Sequence, residues 1–213
     1  HLSIRRQRQM CIRDRSTTIH TAYYEQVHNK QIRIVPNHPD RVVVGVWRMI
    51  MNNIILIGMP GVGKSTVGVV LAKTLGYAFL DSDLLIQERE GLLLHEIIEK
   101  YGLERFNQIE SEVNASIEAE DTVIATGGSV VYGTEAMMHL KALGTVVYLK
   151  LSYEELTERL GDLNKRGVSI RPGETLETLY EERIPIYERY ADVTVDCEDL
   201  SIRDIVKKIT YLF

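Results

Sequence analysis

Cysteine is almost absent from this chain. Its 213 residues hold two, Cys11 and Cys197, too few and too distant for the disulfide framework that marks small secreted domains. Cys197 therefore reads as a reduced structural thiol. Long apolar runs are missing as well. None approaches the ~20 residues of a helical membrane span, and the basic start lacks a stretch of signal-peptide length. A cytoplasmic protein with no membrane partner is expected. Positive charge is scarce after position 50, because the first fifty residues take 9 of the 25 Lys+Arg and only 3 of the 30 Asp+Glu. The remaining body is acidic, which argues against nucleic acid as a partner, since neutralising phosphates takes clustered Lys and Arg. There is no internal repeat, and at 45% hydrophobic content the chain suffices for one globular domain plus an appendage.

What is present is sharper. The apolar run Ile54-Ile55-Leu56-Ile57 leads into Gly58-Met59-Pro60-Gly61-Val62-Gly63-Lys64-Ser65, the pattern G-x-x-x-x-G-K-S in the strand–turn–helix context of a phosphate-binding loop. The glycines let backbone N–H groups converge on a polyphosphate, and the helix N-terminus adds partial positive charge. Lys64 is expected to reach the β- and γ-phosphates and the Ser65 hydroxyl to ligate Mg²⁺. Gly61, Val62, Gly63, Lys64, Ser65 and Thr66 are the expected nucleotide-binding set, with ATP as co-substrate.

Residues 1–50 read as an extension outside the working domain. His1 to Arg15 has neither helical nor strand periodicity. Met10-Cys11-Ile12-Arg13-Asp14-Arg15 is what a translated transposon end from a sequencing library would encode, and Trp47-Arg48 can be encoded around a ribosome-binding GGAGG placed before Met51. The expectation is a non-native or disordered segment, with the native protein starting at Met51.

From there strand-like and helix-like segments alternate, the sign of βαβ units and a parallel sheet. Strands are expected over residues 53–57, 77–80, 122–125, 145–149 and 192–195. They are short, β-branched or aromatic, and apolar on both faces, as strands between two helix layers must be. Helices are expected over 64–75, 92–101, 103–120, 134–143, 153–160, 174–190 and 200–211, with a further start near Leu84. The segment 161–173 has glycine and arginine but no apolar periodicity, which suits a mobile lid.

Open parallel sheets bind ligands beyond the carboxyl ends of their strands. Three polar clusters fall there: the Gly58–Ser65 loop, Asp81-Ser82-Asp83, and Thr126-Gly127-Gly128-Ser129. One aspartate of the pair can hold water on Mg²⁺ and the other can accept a proton from an attacking hydroxyl, although either could instead cap the following helix. Gly127-Gly128 would let backbone approach a ligand closely or form a plain turn. Phosphoryl transfer also needs cations around the moving group. Arg159, Arg166 and Arg171 flank or lie in the lid segment, and Arg183 follows, whereas Arg89 and Arg189 read as surface ion pairs.

In this order the motifs from Met51 onward resemble the shikimate kinase family of P-loop phosphotransferases. Asp81-Ser82-Asp83 is similar to the family's D-x-D, and the resemblance gives Asp83 the acceptor hydroxyls and Asp81 a part in holding Mg²⁺. Thr126-Gly127-Gly128 is similar to the glycine motif lining the acceptor pocket. Arg171-Pro172 looks like the lid's Arg-Pro, which reaches over the phosphates, and Arg183-x-Pro185-x-Tyr187 looks like the segment whose arginine clamps the acceptor carboxylate. The fold implied is a three-layer α/β/α P-loop kinase with a five-stranded parallel sheet, a helical acceptor-binding insertion and a mobile lid over about 161–173.

Two positions depart from the family pattern. Its F-R-x-x-E reads Phe106-Asn107-Gln108-Ile109-Glu110, so neutral Asn107 stands in the substrate-binding set where a charge-assisted, bidentate arginine is expected. Ser129 stands where the family has a third glycine. Lys64, Asp83 and Arg171 are the expected catalytic residues. Asp83, Gly127, Gly128, Arg183 and Asn107 would bind the acceptor, and Ser65 and Asp81 the metal. A monomeric, ATP-dependent kinase of a small alcohol follows, with shikimate as the implied acceptor. The alternatives are another hydroxylated metabolite or a nucleotide-binding regulatory module without catalysis.

Overall fold

The computed structural model describes residues 53–160 and 173–213. The N-terminal extension, and Arg166 and Arg171 with the rest of the lid segment before Gly173, lie outside the described residues.

Five strands form one wholly parallel sheet: β1 (Asn53–Ile57), β2 (Ala78–Asp81), β3 (Thr122–Ala125), β4 (Gly144–Lys150) and β5 (Val193–Asp196), in the order β2-β3-β1-β4-β5. Each lies within about a residue of its expected place. The register sets Ile55 of β1 opposite Ile124 of β3 and Val146 of β4. All four apolar residues of β1 are inaccessible to solvent, as a central strand between two helix layers requires. Among the described residues eight α-helices accompany the sheet: α1 (Lys64–Leu75), α2 (Ser82–Glu90), α3 (Leu94–Tyr101), α4 (Leu103–Ala115), α5 (Thr134–Leu143), α6 (Tyr153–Leu160), α7 (Leu176–Tyr190) and α8 (Ile202–Thr210).

Three helix starts that differ from sequence periodicity are set by side-chain caps. The Asp81 carboxylate accepts from the Asp83 amide at 3.0 Å and so starts α2 at Ser82. Ser201 caps α8 and Thr175 caps α7, so both begin two residues inside the expected spans. Helix α4 stops at Ala115 instead of continuing to Glu120. There the Ser116 hydroxyl takes the Val113 carbonyl at 2.8 Å, and the chain turns through Asp121 at φ 46 to enter β3. Ile117 is buried beyond the helix end, and that apolar residue prolongs the helical pattern in sequence.

Helices α2, α3 and α4 enclose a small core of their own, built on Ile86, Ile97, Phe106, Ile109 and Val113. It makes the insertion between β2 and β3 a rigid wall beside the strand tips. At the opposite end of β1, Asn53 ties three chain segments. Its amide donates to the carbonyls of Ala119 at 2.7 Å and Leu143 at 3.0 Å, and its oxygen accepts from the Thr122 amide at 2.9 Å. Asn53→Ala would leave these buried groups unpaired, at a cost of about 3 kcal/mol. A Tm drop of about 10 °C is expected for a domain this size, with kcat unchanged well below the transition. A melting temperature within 2 °C of wild type in differential scanning calorimetry would show the staple to be idle.

Candidate active site

Strand β1 ends in a loop anchored by two side chains that enter the core, Met59 and Val62. The Val62 side chain thus supports the loop from beneath, so the nucleotide contact expected from sequence at this position falls to its backbone. Gly63 caps α1 at φ 100 without a side-chain hydrogen bond. An L-residue side chain is strained in that conformation, and with no acidic side chain in the first turn the helix start keeps its amides for an anion.

Lys64 is buried, and its ammonium donates to the carbonyls of Gly58 at 2.8 Å and Met59 at 3.1 Å. Burial lowers it to about 8, partly opposed by Asp83. Ser65 and Thr66 follow on the exposed side of the helix start and line the same cavity.

At the tip of β2 the two aspartates separate in role. Asp81 spends one oxygen on the helix cap. Asp83, one step into α2, lines the cavity; burial and then the Asp81 charge push its carboxyl up to about 6, against the pull of Lys64. At the tip of β3 the Thr126 hydroxyl donates to Leu56 at 3.0 Å, fixing the turn that carries Gly127 and Gly128. A side chain on Gly127 would collide with Glu110 Oε1 and stand 2.9 Å from Asp83 Oδ1. Two carboxylates thus converge on this glycine, and that close approach leaves only hydrogen fitting there.

Helix α7 brings Arg183 to the other side. Its guanidinium is 1% exposed, donates through Nε to the Tyr132 hydroxyl at 3.2 Å and lies 5.1 Å from the centre of that ring. One turn on, the Tyr187 hydroxyl donates to the Gly128 carbonyl at 2.5 Å, while its ring stacks 5.2 Å from Tyr148. Tyr187→Phe should loosen the glycine turn without emptying the core. The acceptor KM is expected to rise about threefold to tenfold, in line with one lost hydrogen bond, with the ATP KM unchanged. Equal acceptor KM values in steady-state assays would refute the tether.

These parts enclose one cavity of about 350 Å³. Lys64, Ser65, Asp83, Gly127, Gly128 and Arg183 all border it, with Gly61, Gly63 and Thr66 at the loop side. Asp81 and Asn107 do not. Asn107 is half-buried on α4, one turn before Glu110, and it is Glu110 that reaches the cavity. Glu110, Tyr132 and Ser129 carried no assigned role in sequence. Glu110 offered a signal as the acidic end of Phe106-x-x-x-Glu110, and Ser129 as a member of the polar cluster after β3, whereas nothing in sequence marks Tyr132. Arg159 pairs with Glu155 and lies 3.5 Å from the Val62 carbonyl, at the loop's edge. Arg89 pairs with Glu112 and Glu90 as expected of a surface arginine, whereas Arg189 lies over the Tyr190 ring.

For Mg²⁺ a hard-oxygen donor bordering the cavity is the exposed Ser65 hydroxyl, and Asp81, off that lining, keeps a second carboxylate oxygen beyond its cap. No group of three or more His, Cys, Asp or Glu that could hold a metal occurs among the described residues. One or two protein oxygens completed by substrate phosphates and water is the arrangement this ion favours, so the set fits.

A family model described as shikimate kinase matches residues 60–212. The chain is 39% identical over 162 residues to the shikimate kinase of Thermodesulfovibrio yellowstonii, an overlap of 75% of this chain and 93% of that protein. It is 41% identical over 160 residues to the shikimate kinase of Methylococcus capsulatus, covering 74% and 89% respectively. In three dimensions it is similar to shikimate kinase from Acinetobacter baumannii solved in complex with shikimate, with TM-score 0.68, 35% identity, and coverage of 76% of this chain and 92% of that one. With its five parallel strands, its nucleotide loop and its acceptor-side residues around one cavity, this chain belongs to the shikimate kinase family.

Proposed function

We propose that the protein transfers the γ-phosphoryl group of ATP to a hydroxyl of shikimate. The observation that carries this reading is the shared cavity: the Lys64 loop for a nucleotide stands against Asp83, Gly127-Gly128 and Arg183 for a hydroxylated acid. Arg183 would grip the acceptor carboxylate, since a buried guanidinium is an anion site that never loses its charge. Asp83 would receive the proton of the attacking hydroxyl as the new O–P bond forms and the bridge to the β-phosphate breaks, and then release it to solvent. Lys64 would shift from the Gly58 and Met59 carbonyls to the phosphate oxygens, where its charge opposes the negative charge developing in transfer.

Ser65 and Asp81 would hold Mg²⁺, which when bound neutralises charge on the β- and γ-oxygens. Arg171 is assigned to the phosphates by the family resemblance alone. The domain that does this work is taken as 51–213, because an overlap of about 160 residues spans roughly nine-tenths of the relatives named above. A monomer in the cytoplasm is the accompanying proposal; no helix among the described residues is long and apolar enough to cross a membrane. Shikimate-dependent ADP release by protein starting at Met51, with shikimate 3-phosphate found by mass spectrometry, tests the reading. ATP binding without product from shikimate would sink it.

A further inference from the structure

Glu110 is out of place as a structural residue. Its side chain is 1% exposed, and neither carboxyl oxygen meets hydrogen-bond geometry with any group among the described residues. The Ser129 hydroxyl lies near enough to favour the charged form without closing a bond. Buried carboxylates are normally paired, because stripping water from an unpaired one costs several kcal/mol. A polar group kept buried at such a cost, on the wall of a cavity, points to a ligand. The family's sequence pattern explains how it arose. Where an arginine would stand one turn away on the same helix face, this chain has Asn107, and asparagine carries no charge to balance the carboxylate.

Glu110 and Asp83 approach Gly127 from the same cavity. Arg183 closes the other side, with its guanidinium nitrogen 3.2 Å from where a Gly128 side chain would begin. With Lys64 on the nucleotide side, the Arg183 cation and two carboxyl groups remain for the acceptor and suit an acid that carries a carboxylate and at least two hydrogen-bond donors. We propose that Glu110 contacts the acceptor directly, forming with Asp83 a paired-carboxyl subsite that takes hydrogen bonds from two of its hydroxyl groups. This rests on the acceptor reading above and deepens it: discrimination among polyhydroxylated acids lies in a carboxyl pair, with Arg183 for the anion.

The groups facing Glu110 are Asp83 from α2, Arg183 from α7, Lys64 from α1 and the Ser129 hydroxyl. Burial dominates among them and pushes its carboxyl up to about 7 from an ordinary 4.5. The folded protein therefore holds a proton that the unfolded chain releases in that window. Stability falls as pH rises from about 4.5 to about 7 and stays reduced above.

The test is Glu110→Gln, which is isosteric. At pH 8 the variant should melt about 4 °C or more above wild type, and at pH 4.5 the two should nearly coincide. Its KM for shikimate should nonetheless rise tenfold or more while the ATP KM stays put. That penalty should vanish with the one deoxyshikimate lacking the hydroxyl that Glu110 holds. A lower Tm for the variant at pH 8 would make Glu110 a structural partner and overturn the inference. So would an unchanged shikimate KM, or a penalty equal for every deoxy analogue. Failure of the proposed function has a different signature, wild-type protein that turns over no shikimate. The melting comparison needs no substrate and in that case decides alone, a higher Tm sustaining the functional carboxyl and a lower one rejecting it.

Discussion

Lys64→Ala should lower kcat by on the order of 10³, about 4 kcal/mol of transition-state stabilisation, while the protein stays folded. The two halves of this expectation have separate causes. In the structure the ammonium is buried and held by the carbonyls of Gly58 and Met59. Burial depresses it to about 8, which means that folding works against its charge instead of drawing stability from it. Removing it relieves that cost and leaves two carbonyls without this donor, effects of opposite sign. A Tm within a few degrees of wild type is therefore expected.

Catalysis is another matter, because a cation fixed beside the transferring group acts where little water screens it. Lys64→Arg keeps the charge but replaces a compact ammonium by a planar fork that cannot make the same two contacts from one nitrogen in the same place. It should recover less than a tenth of the lost rate. Single-turnover measurements at saturating ATP separate this loss from weaker binding. A variant with alanine that retains wild-type kcat would remove Lys64 from the chemistry.

The nucleotide half of the site is legible in sequence because its chemistry is local. Eight consecutive residues must supply converging amides, a lysine and a metal-binding hydroxyl, and no distant contact alters that requirement. The strands are equally readable, since burial on both faces forces continuous apolar runs such as Ile54–Ile57. The acceptor half is built by approach of elements far apart in the chain. That Tyr187 secures the Gly128 carbonyl across 59 positions, or that Tyr132 receives Arg183 across 51, depends on how α7 crosses the strand tips. Spacing carries no trace of that. Asn107 stands off the cavity lining, and the side chain of this helix that reaches the cavity is Glu110, three residues on, a difference that spacing alone does not carry. The residues alone leave the division of labour between Asp81 and Asp83 open, the family resemblance assigns it, and the cap hydrogen bond from the Asp83 amide sets Asp81 at the helix start.

That division sets up the second large effect. Asp83→Asn should lower kcat by about 10²- to 10⁴-fold, the range for removing a positioned general base, with only a modest change in ATP affinity. Asparagine keeps the shape and one accepting oxygen, so the acceptor should still bind, with a KM raised as in Glu110→Gln; what is lost besides is the ability to take its proton. The wild-type pH profile offers an independent reading. Burial, then the Asp81 charge, raise the Asp83 carboxyl to about 6 while Lys64 opposes them, and the reactive form is the ionised one. Activity should accordingly fall as pH drops through about 6, tenfold per unit below it, and level off above. In Asp83→Asn that acidic limb should be gone, leaving a low, flatter profile. Asp81→Asn serves as the contrast. It weakens a cap worth about 1 kcal/mol and the proposed metal ligand, so its loss should be offset in part by raising Mg²⁺, whereas no Mg²⁺ concentration should rescue Asp83→Asn. A surviving acid limb near pH 6 in the Asp83 variant would transfer the proton-accepting role to another group, and Glu110 is the carboxyl placed to take it.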